Sequence, residues 1–190
     1  MKDGLPVILF KDEVHWISWL EKNSEKNGVW VRIAKKNSGV TSISYQEAVD
    51  VSICYGWIDG LKQKFDDKTY VQRFTPRKPK SNWSKINKVK ALQFIAEGKM
   101  TPAGLATIEN AKKAGTWDKA YDSQSTIKVP ADFQIILKEN PEAEAFFNTL
   151  NSVNRFAILY RIQTAKSTEL RKEKMKKLVE MLSRKEKFHD

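Results

Sequence analysis

The residues best suited to chemistry lie in a basic segment near the middle of the chain. Eight Lys or Arg residues and no Asp or Glu fall between Lys68 and Ala96. Arg73 and Arg77 lie on or beside a predicted strand, and the arginine fork suits a carboxylate or a phosphate. A predicted helix start at Ser84 adds free amides that attract anions. We therefore expect an anion site, and a solvated basic surface is the alternative.

The candidate ligand-binding residues combine basic, hydroxyl, aromatic and amide side chains. Trp57 and Trp83 would form either stacking surfaces or parts of the core. Asp59 would be a proton acceptor, a substrate orienter or the ion-pair partner of an arginine, since a buried acid needs a partner. Gly60 removes a side chain where another group could approach. The candidate site comprises Trp57, Asp59, Arg73, Thr75, Arg77, Ser81, Trp83, Ser84 and Asn87.

A second basic group lies near the C-terminus. It consists of Arg155, Arg161, Gln163 and Lys166. Helical spacing places Arg161 and Lys166 on nearby turns. The group is either a secondary basic site or a hydrogen-bond lock between helices, and the sequence leaves both interpretations open.

The chain lacks residues that several classes of enzyme need for their chemistry. The chain has two histidines, His15 and His189, so very few residues are available for a His-based triad or a His-ligand metal site. The P-loop, GxGxxG and CxxC motifs are absent from the sequence. We predict no metal and no cofactor, and we favour a binding protein over an enzyme without excluding a reaction.

Composition and charge indicate the class of partner. The chain has 190 residues, 41% of them hydrophobic, and a formal net charge of +11. This balance favours a small anionic ligand or nucleic acid, although no RNA- or DNA-reading motif is present. No apolar stretch approaches membrane-spanning length. The single cysteine, Cys54, is predicted to be a core residue, and a cytoplasmic location follows as the expectation.

Three predicted strands would position the candidate site. Period-two alternation marks residues 29–35, 57–65 and 69–75, and the tight acidic turn between the last two makes them antiparallel. A capping box at Ser44 begins a helix, and Gly56 is its expected left-handed stop. From Ser84 onward, the sequence patterns all indicate helices. The fold class is therefore α+β, a small antiparallel sheet with flanking helices followed by a C-terminal helical bundle.

Domain boundaries follow from these elements. We predict an α+β domain over residues 1–115, a linker over 116–130 and a C-terminal helical domain over 131–190. The first helix after the sheet would carry Ile86, Val89, Leu92 and Ala96 along one face. The last helix carries a stripe of Met175, Leu178, Val179 and Leu182, which packs on its own domain or, alternatively, lies on a membrane surface.

Five motifs of the chain form a recognisable combination. They are Cys54-Tyr-Gly-Trp-Ile-Asp-Gly60, Gln72-Arg-Phe-Thr-Pro-Arg77, Ser81-Asn-Trp-Ser84, Glu97-Gly-Lys-Met-Thr-Pro-Ala-Gly104 and Ser152-Val-Asn-Arg-Phe-Ala-Ile-Leu-Tyr-Arg-Ile-Gln-Thr-Ala-Lys166. Together they resemble the YdeI/OmpD-associated family, also called bacteriocin-protection proteins, from about residue 29 to 182.

The resemblance implies a terminal helical domain and a role in stress tolerance, but no known reaction or cofactor. We therefore expect a stress-tolerance protein that binds a small anionic ligand in a basic, aromatic-lined cleft. The alternatives are a nucleic-acid-binding protein and an adaptor that binds a protein partner through its C-terminal helices.

Overall fold

The computed structural model describes residues 1–190 and contains a four-stranded sheet. Its strands are β1 (Val7–Ile8), β2 (Val29–Ala34), β3 (Trp57–Lys64) and β4 (Thr69–Pro76). They lie in the order β1-β2-β4-β3, and β4 pairs antiparallel with both β2 and β3, which confirms the predicted arrangement. The sequence did not predict β1, a two-residue parallel edge on β2, because two residues are too few to show alternation.

Eight helices surround and follow the sheet. They are α1 (Glu13–Lys22), α2 (Tyr45–Cys54), α3 (Lys85–Ala96), α4 (Pro102–Lys113), α5 (Ala131–Lys138), α6 (Pro141–Thr149), α7 (Ser152–Gln163) and α8 (Thr168–Ser183). All strands precede α3, so the α+β class with C-terminal helices is confirmed.

The chain divides into two compact units. The first contains Met1–Ser81 and Asn87–Asp118, and the second contains Asn82–Ile86 and Lys119–Asp190. The four strands all belong to the first unit, and α5 to α8 all belong to the second. Each unit has its own buried core.

An aromatic cluster forms the core of the first unit. The ring of Trp16 lies 4.9 Å from that of Phe10, 5.6 Å from Phe74 and 6.2 Å from Trp57, measured between centroids. Its indole N–H donates to the carbonyl of Ala48 at 3.2 Å, so the ring also joins α1 to α2. Large aromatic surfaces dominate the energy of a core of this kind, and this cluster fixes both helices against β3 and β4.

The junction between α2 and α4 explains one of the recognised motifs. The Thr101 hydroxyl accepts a hydrogen bond from the Gly104 amide and donates to the Cys54 carbonyl at 2.7 Å. Gly104 itself lies against that carbonyl, since a Cβ at this position would overlap it. Thr101-Pro-Ala-Gly104 therefore caps α4 and attaches it to the last turn of α2. The predicted capping box at Ser44 is present, and Gly56 has the expected positive φ of 76°.

The core of the second unit is built from the last four helices. A buried cluster runs from Phe133 to Leu182, and it includes all four residues of the predicted α8 stripe: Met175, Leu178, Val179 and Leu182. The stripe therefore packs within its own unit, as predicted. The chain end is also held, because the buried Asn154 side chain accepts from the amides of Phe188 and His189 at 3.0 and 2.9 Å.

The predicted helix is present as α3, but its apolar face is largely exposed. Val89 is 65% exposed and Leu92 51% exposed, whereas Ala91 is fully buried. A helix with apolar residues on several sides has no single amphipathic stripe, so its pattern does not define which side meets the core.

Candidate functional site

Arg73 lies on β4, opposite Trp30 of the neighbouring strand β2. Directly opposed residues of an antiparallel pair lie on the same face of the sheet. The Arg73 side chain is partly buried, and its Nε atom has no hydrogen-bond acceptor within the chain. A buried donor without an acceptor costs on the order of 1–3 kcal/mol, and such a group calls for an explanation.

Trp30 presents a second donor of the same kind. Its side chain is fully buried, and its indole Nε1 also lacks an acceptor within the chain. The ammonium group of Lys2 lies 5.4 Å from the centre of its ring and adds positive charge to the surroundings. Trp30 was not among the predicted site residues. Its pairing with Arg73 depends on the register between β2 and β4, which alternation alone does not reveal.

Gly60 makes room for the Arg73 guanidinium. It lies where the pairing of β3 with β4 is irregular, between Asp59 and Lys62. A Cβ at Gly60 would lie 3.5 Å from Arg73 Nε and 3.7 Å from Arg73 Nη2. The Gly60 carbonyl accepts a hydrogen bond from the Gln72 side chain at 2.8 Å, which fixes the irregular segment. The group that the sequence analysis expected to approach Gly60 is thus Arg73.

Asp59 has a different partner from the one expected. Its carboxylate accepts a hydrogen bond from the Tyr45 hydroxyl at 2.8 Å, in place of an ion pair with an arginine. Tyr45 is the first residue of α2, so this contact joins the helix start to β3. Tyr45 was not predicted as a partner because the two residues are 14 positions apart and on different elements.

Trp57, Thr75 and Arg77 lie around the end of β4. Trp57 is 4% exposed and belongs to the aromatic core, where it supports β3. Thr75 is partly buried opposite Ile58. Arg77 is buried, and its amide donates to the Gly56 carbonyl at 2.9 Å, which ties the strand exit to the end of α2.

Ser81 closes a turn in the loop that follows β4. Its hydroxyl accepts from the Lys78 amide at 3.1 Å, and its own amide donates to the Lys78 carbonyl at 2.9 Å. The side chains of Lys78 and Lys80 are exposed. The loop is therefore ordered by its own hydrogen bonds, and its lysines face solvent.

Trp83 and Ser84 belong to the second unit, whereas Asn87 belongs to the first with the remaining candidate residues. Trp83 is buried, and its carbonyl accepts from the Tyr121 amide at 2.9 Å. The Lys85 amide, at the start of α3, donates to the Tyr121 carbonyl at 2.8 Å. This amide is therefore not one of the free amides expected near Ser84.

The second basic group contacts its own unit. The Gln163 side chain donates to Asp122 at 2.7 Å and accepts from the Asp122 amide at 3.1 Å. Arg155 stacks on the Phe147 ring, and Arg161 donates to the Ala157 carbonyl and stacks on Phe188. Lys166 is exposed. These contacts favour the interpretation as a lock between structural elements.

No group of three or more His, Cys, Asp or Glu side chains is arranged to hold a metal ion. None of the helices is both long enough and apolar enough to cross a membrane.

Two family models match different parts of the chain. Residues 8–107 match a family described as a domain of unknown function (DUF8412). Residues 126–185 match the family described as bacteriocin-protection, YdeI or OmpD-associated, which confirms the resemblance through the C-terminal part. Comparisons with curated proteins and with solved structures gave no match.

Proposed function

The chain belongs to the family described as a domain of unknown function (DUF8412), a description that names no reaction, and we propose from the site geometry that it binds a small anionic ligand at Arg73. The observation that carries the proposal is the buried Arg73 Nε, which has no acceptor in the chain. An oxygen atom of a bound carboxylate, phosphate or sulfate would satisfy this donor.

The surroundings of Arg73 support an anion over a neutral ligand. The expected acidic partner, Asp59, is bound to Tyr45, so the Arg73 charge is not neutralised by it. The second orphaned donor, Trp30 Nε1, lies on the same face of the sheet. Gly60 makes room for the guanidinium beside β3, since a Cβ there would lie 3.5 Å from Arg73 Nε. A guanidinium with an unfilled donor favours an oxygen-rich anion.

We also propose a physiological context for this binding. The C-terminal match supports a protein of the bacteriocin-protection type, and we propose that anion binding contributes to that stress tolerance. The lone Cys54 has no disulfide partner, which suits the reducing cytoplasm. In this proposal the protein binds its ligand and is assigned no reaction.

The test measures anion binding by calorimetry and by the shift in melting temperature. Phosphate, sulfate, acetate and citrate are compared with chloride at equal ionic strength. At least one of them should stabilise the wild-type protein, because a ligand that binds only the folded state raises its stability. Arg73→Lys should weaken that binding by about 10-fold or more, since an ammonium group cannot reproduce the fork of the guanidinium.

Two further variants separate the site from general charge effects. Trp30→Phe keeps an aromatic ring and removes the indole donor, so it should also weaken binding. Arg155→Lys changes the same residue type in the second unit and should leave binding as in wild type. The proposal fails if no anion binds better than chloride, or if Arg73→Lys binds the anion as tightly as Arg155→Lys does.

A further inference from the structure

A second basic site lies at the other end of β4, where β2 ends and β4 begins. A cleft of about 740 Å³ is lined chiefly by Lys35, Lys36, Lys62, Gln63, Lys64 and Tyr70, and we call it the lysine cleft. The cleft is broadly open to solvent, and its volume lies within the roughly 300–1,000 Å³ of small-molecule sites. The lysine cleft shares no residue with the Arg73 site.

The strand register directs two of the lysines into one place. Lys64 is directly opposite Tyr70, and Lys62 lies two residues earlier on the same strand, so the three side chains share a face of the sheet. The ammonium group of Lys62 lies 4.2 Å from the centre of the Tyr70 ring. A cation held over an aromatic ring loses part of its freedom before any ligand arrives.

Lys35 is positioned even more firmly. Its ammonium group donates to the backbone carbonyls of Asp66 and Asp67, at 2.9 and 3.1 Å. An ammonium group has three N–H donors, so one donor remains for a ligand. Backbone carbonyls orient the group and leave its full positive charge in place.

The nearby acids do not neutralise the lysine cleft. The Asp66 carboxylate is engaged by Arg32 at 2.6 Å and by the Thr69 hydroxyl at 2.8 Å. Asp67 lies 3.6 Å from the Lys64 ammonium group, but its side chain is 99% exposed. Ion pairs this exposed contribute little in water. Four positive charges therefore surround one cleft with no carboxylate in its lining.

We propose that the lysine cleft binds ligands that carry two or more linked phosphate groups. Lysines act as separate point charges, which suits a flexible chain of phosphates, whereas a single planar carboxylate is better matched by an arginine fork. A tyrosine hydroxyl is neutral at pH 7, and burial raises the pKa of Tyr70 further, so it adds no repulsion. The phosphate chain could be free inorganic polyphosphate or part of a nucleotide.

The test titrates the full-length protein with inorganic tripolyphosphate, orthophosphate and ATP by calorimetry. Tripolyphosphate should bind at least about 10-fold more tightly than orthophosphate, because its extra charges meet further lysines. If ATP binds as tripolyphosphate does, the phosphate chain alone is recognised. Tighter binding of ATP would identify a nucleotide as the ligand, and either result supports the proposal.

Matched double variants identify the residues responsible. Lys62→Gln/Lys64→Gln should weaken tripolyphosphate binding by about 10-fold or more, since both lost charges face the ligand. Lys172→Gln/Lys176→Gln removes the same net charge from exposed positions on α8, and it should weaken binding less than about 2-fold in buffered salt. Arg73→Lys should have no effect on this ligand, which keeps the result independent of the anion site proposed above.

Three results would overturn the assignment. The first is equal affinity for orthophosphate and tripolyphosphate, and the second is equal loss of affinity in the two double variants. The third is a single-stranded oligonucleotide of matched charge that binds more tightly than tripolyphosphate and depends on Lys62 and Lys64. That third result would assign the cleft to nucleic acid.

Discussion

The Cys54 thiol illustrates how position determines the chemistry of a single residue. Cys54 ends α2 and is 7% exposed. Its burial, and then the negative charge of Asp50, raise the pKa of the thiol to about 11. The thiolate is the reactive form, so a thiol with this pKa is a poor nucleophile at neutral pH. The sequence-based prediction of a core cysteine is confirmed.

Alkylation by iodoacetamide tests this directly. At pH 8 the folded protein should react more than about 100-fold more slowly than the urea-unfolded protein, because its thiolate fraction is far smaller. The rate for the folded protein should continue to rise with pH up to about 11, whereas the rate for the unfolded protein should level off near the ordinary thiol pKa of about 8.5. A levelling near pH 8.5 in the folded protein would show that the thiol is exposed and ordinary.

Single residues also show the limit of inference from sequence. Arg73 was identified because it lies on a predicted strand in an acid-free basic segment and its guanidinium fork suits a carboxylate or a phosphate. Trp30 was missed because its importance comes from its position opposite Arg73, and that register appears only in the structure. The partner of Asp59 was also predicted wrongly, because Tyr45 reaches Asp59 from the start of a different element, which only the tertiary structure shows.

At the scale of elements, the contact between α2 and α4 is the most tightly constrained. An exposed Gly in a helix is normally improved by Ala, which is the better helix former by about 1 kcal/mol. At Gly104 the added Cβ would overlap the Cys54 carbonyl, which is backbone and cannot rotate away. We therefore expect Gly104→Ala to destabilise the protein by roughly 1–3 kcal/mol, the usual cost of overpacking. Urea denaturation followed by tryptophan fluorescence measures this change.

Ala106→Gly on the same helix provides the control. Ala106 is exposed, so its substitution should cost only the difference in helix propensity, about 1 kcal/mol. If Gly104 mattered only through propensity, Gly104→Ala would stabilise the protein by a similar amount. Stabilisation by Gly104→Ala would therefore contradict the close contact between the two helices.

Some elements could be predicted from the sequence more completely than others. The capping box at Ser44 and the stop at Gly56 were predictable because each depends on a few neighbouring residues. The α8 stripe was predictable because its apolar residues keep strict helical spacing. The buried side of α3 was not, because apolar residues occur around much of that helix and only tertiary contacts select Ala91.

At the scale of the whole molecule, some basic residues of the central segment stabilise the fold through ion pairs, and others are exposed to solvent. Lys85 and Lys90 are ion-paired with Asp122 and Asp50, each within one unit, so part of the basic segment serves the fold. Lys78 and Lys80 remain exposed in the loop after β4. Exposed charges of this kind act over about 10 Å or less in physiological salt. They would raise the rate at which anions arrive and contribute little to holding them.

We propose that the predicted division into residues 1–115, a linker over 116–130 and residues 131–190 reflects independent folding of the C-terminal part. Every residue of the second buried cluster lies between Phe133 and Leu182. The Asp132–Arg171 pair, with two contacts of 2.9 Å, is also internal to this region. A self-contained core is the main requirement for a domain to fold alone.

The fragment 119–190 tests this proposal. It should be helical by circular dichroism and should melt cooperatively, because its core needs no residue from the first unit. It loses the contacts of Asn82–Ile86, which include the buried Trp83 ring and the Lys85–Asp122 pair, so it should be less stable than the intact unit. In the same fragment, Leu178→Ala should cost roughly 2–5 kcal/mol, since it removes a buried side chain from the core. A fragment that melts without cooperativity, or that Leu178→Ala leaves unchanged, would show that the C-terminal helices depend on the rest of the chain.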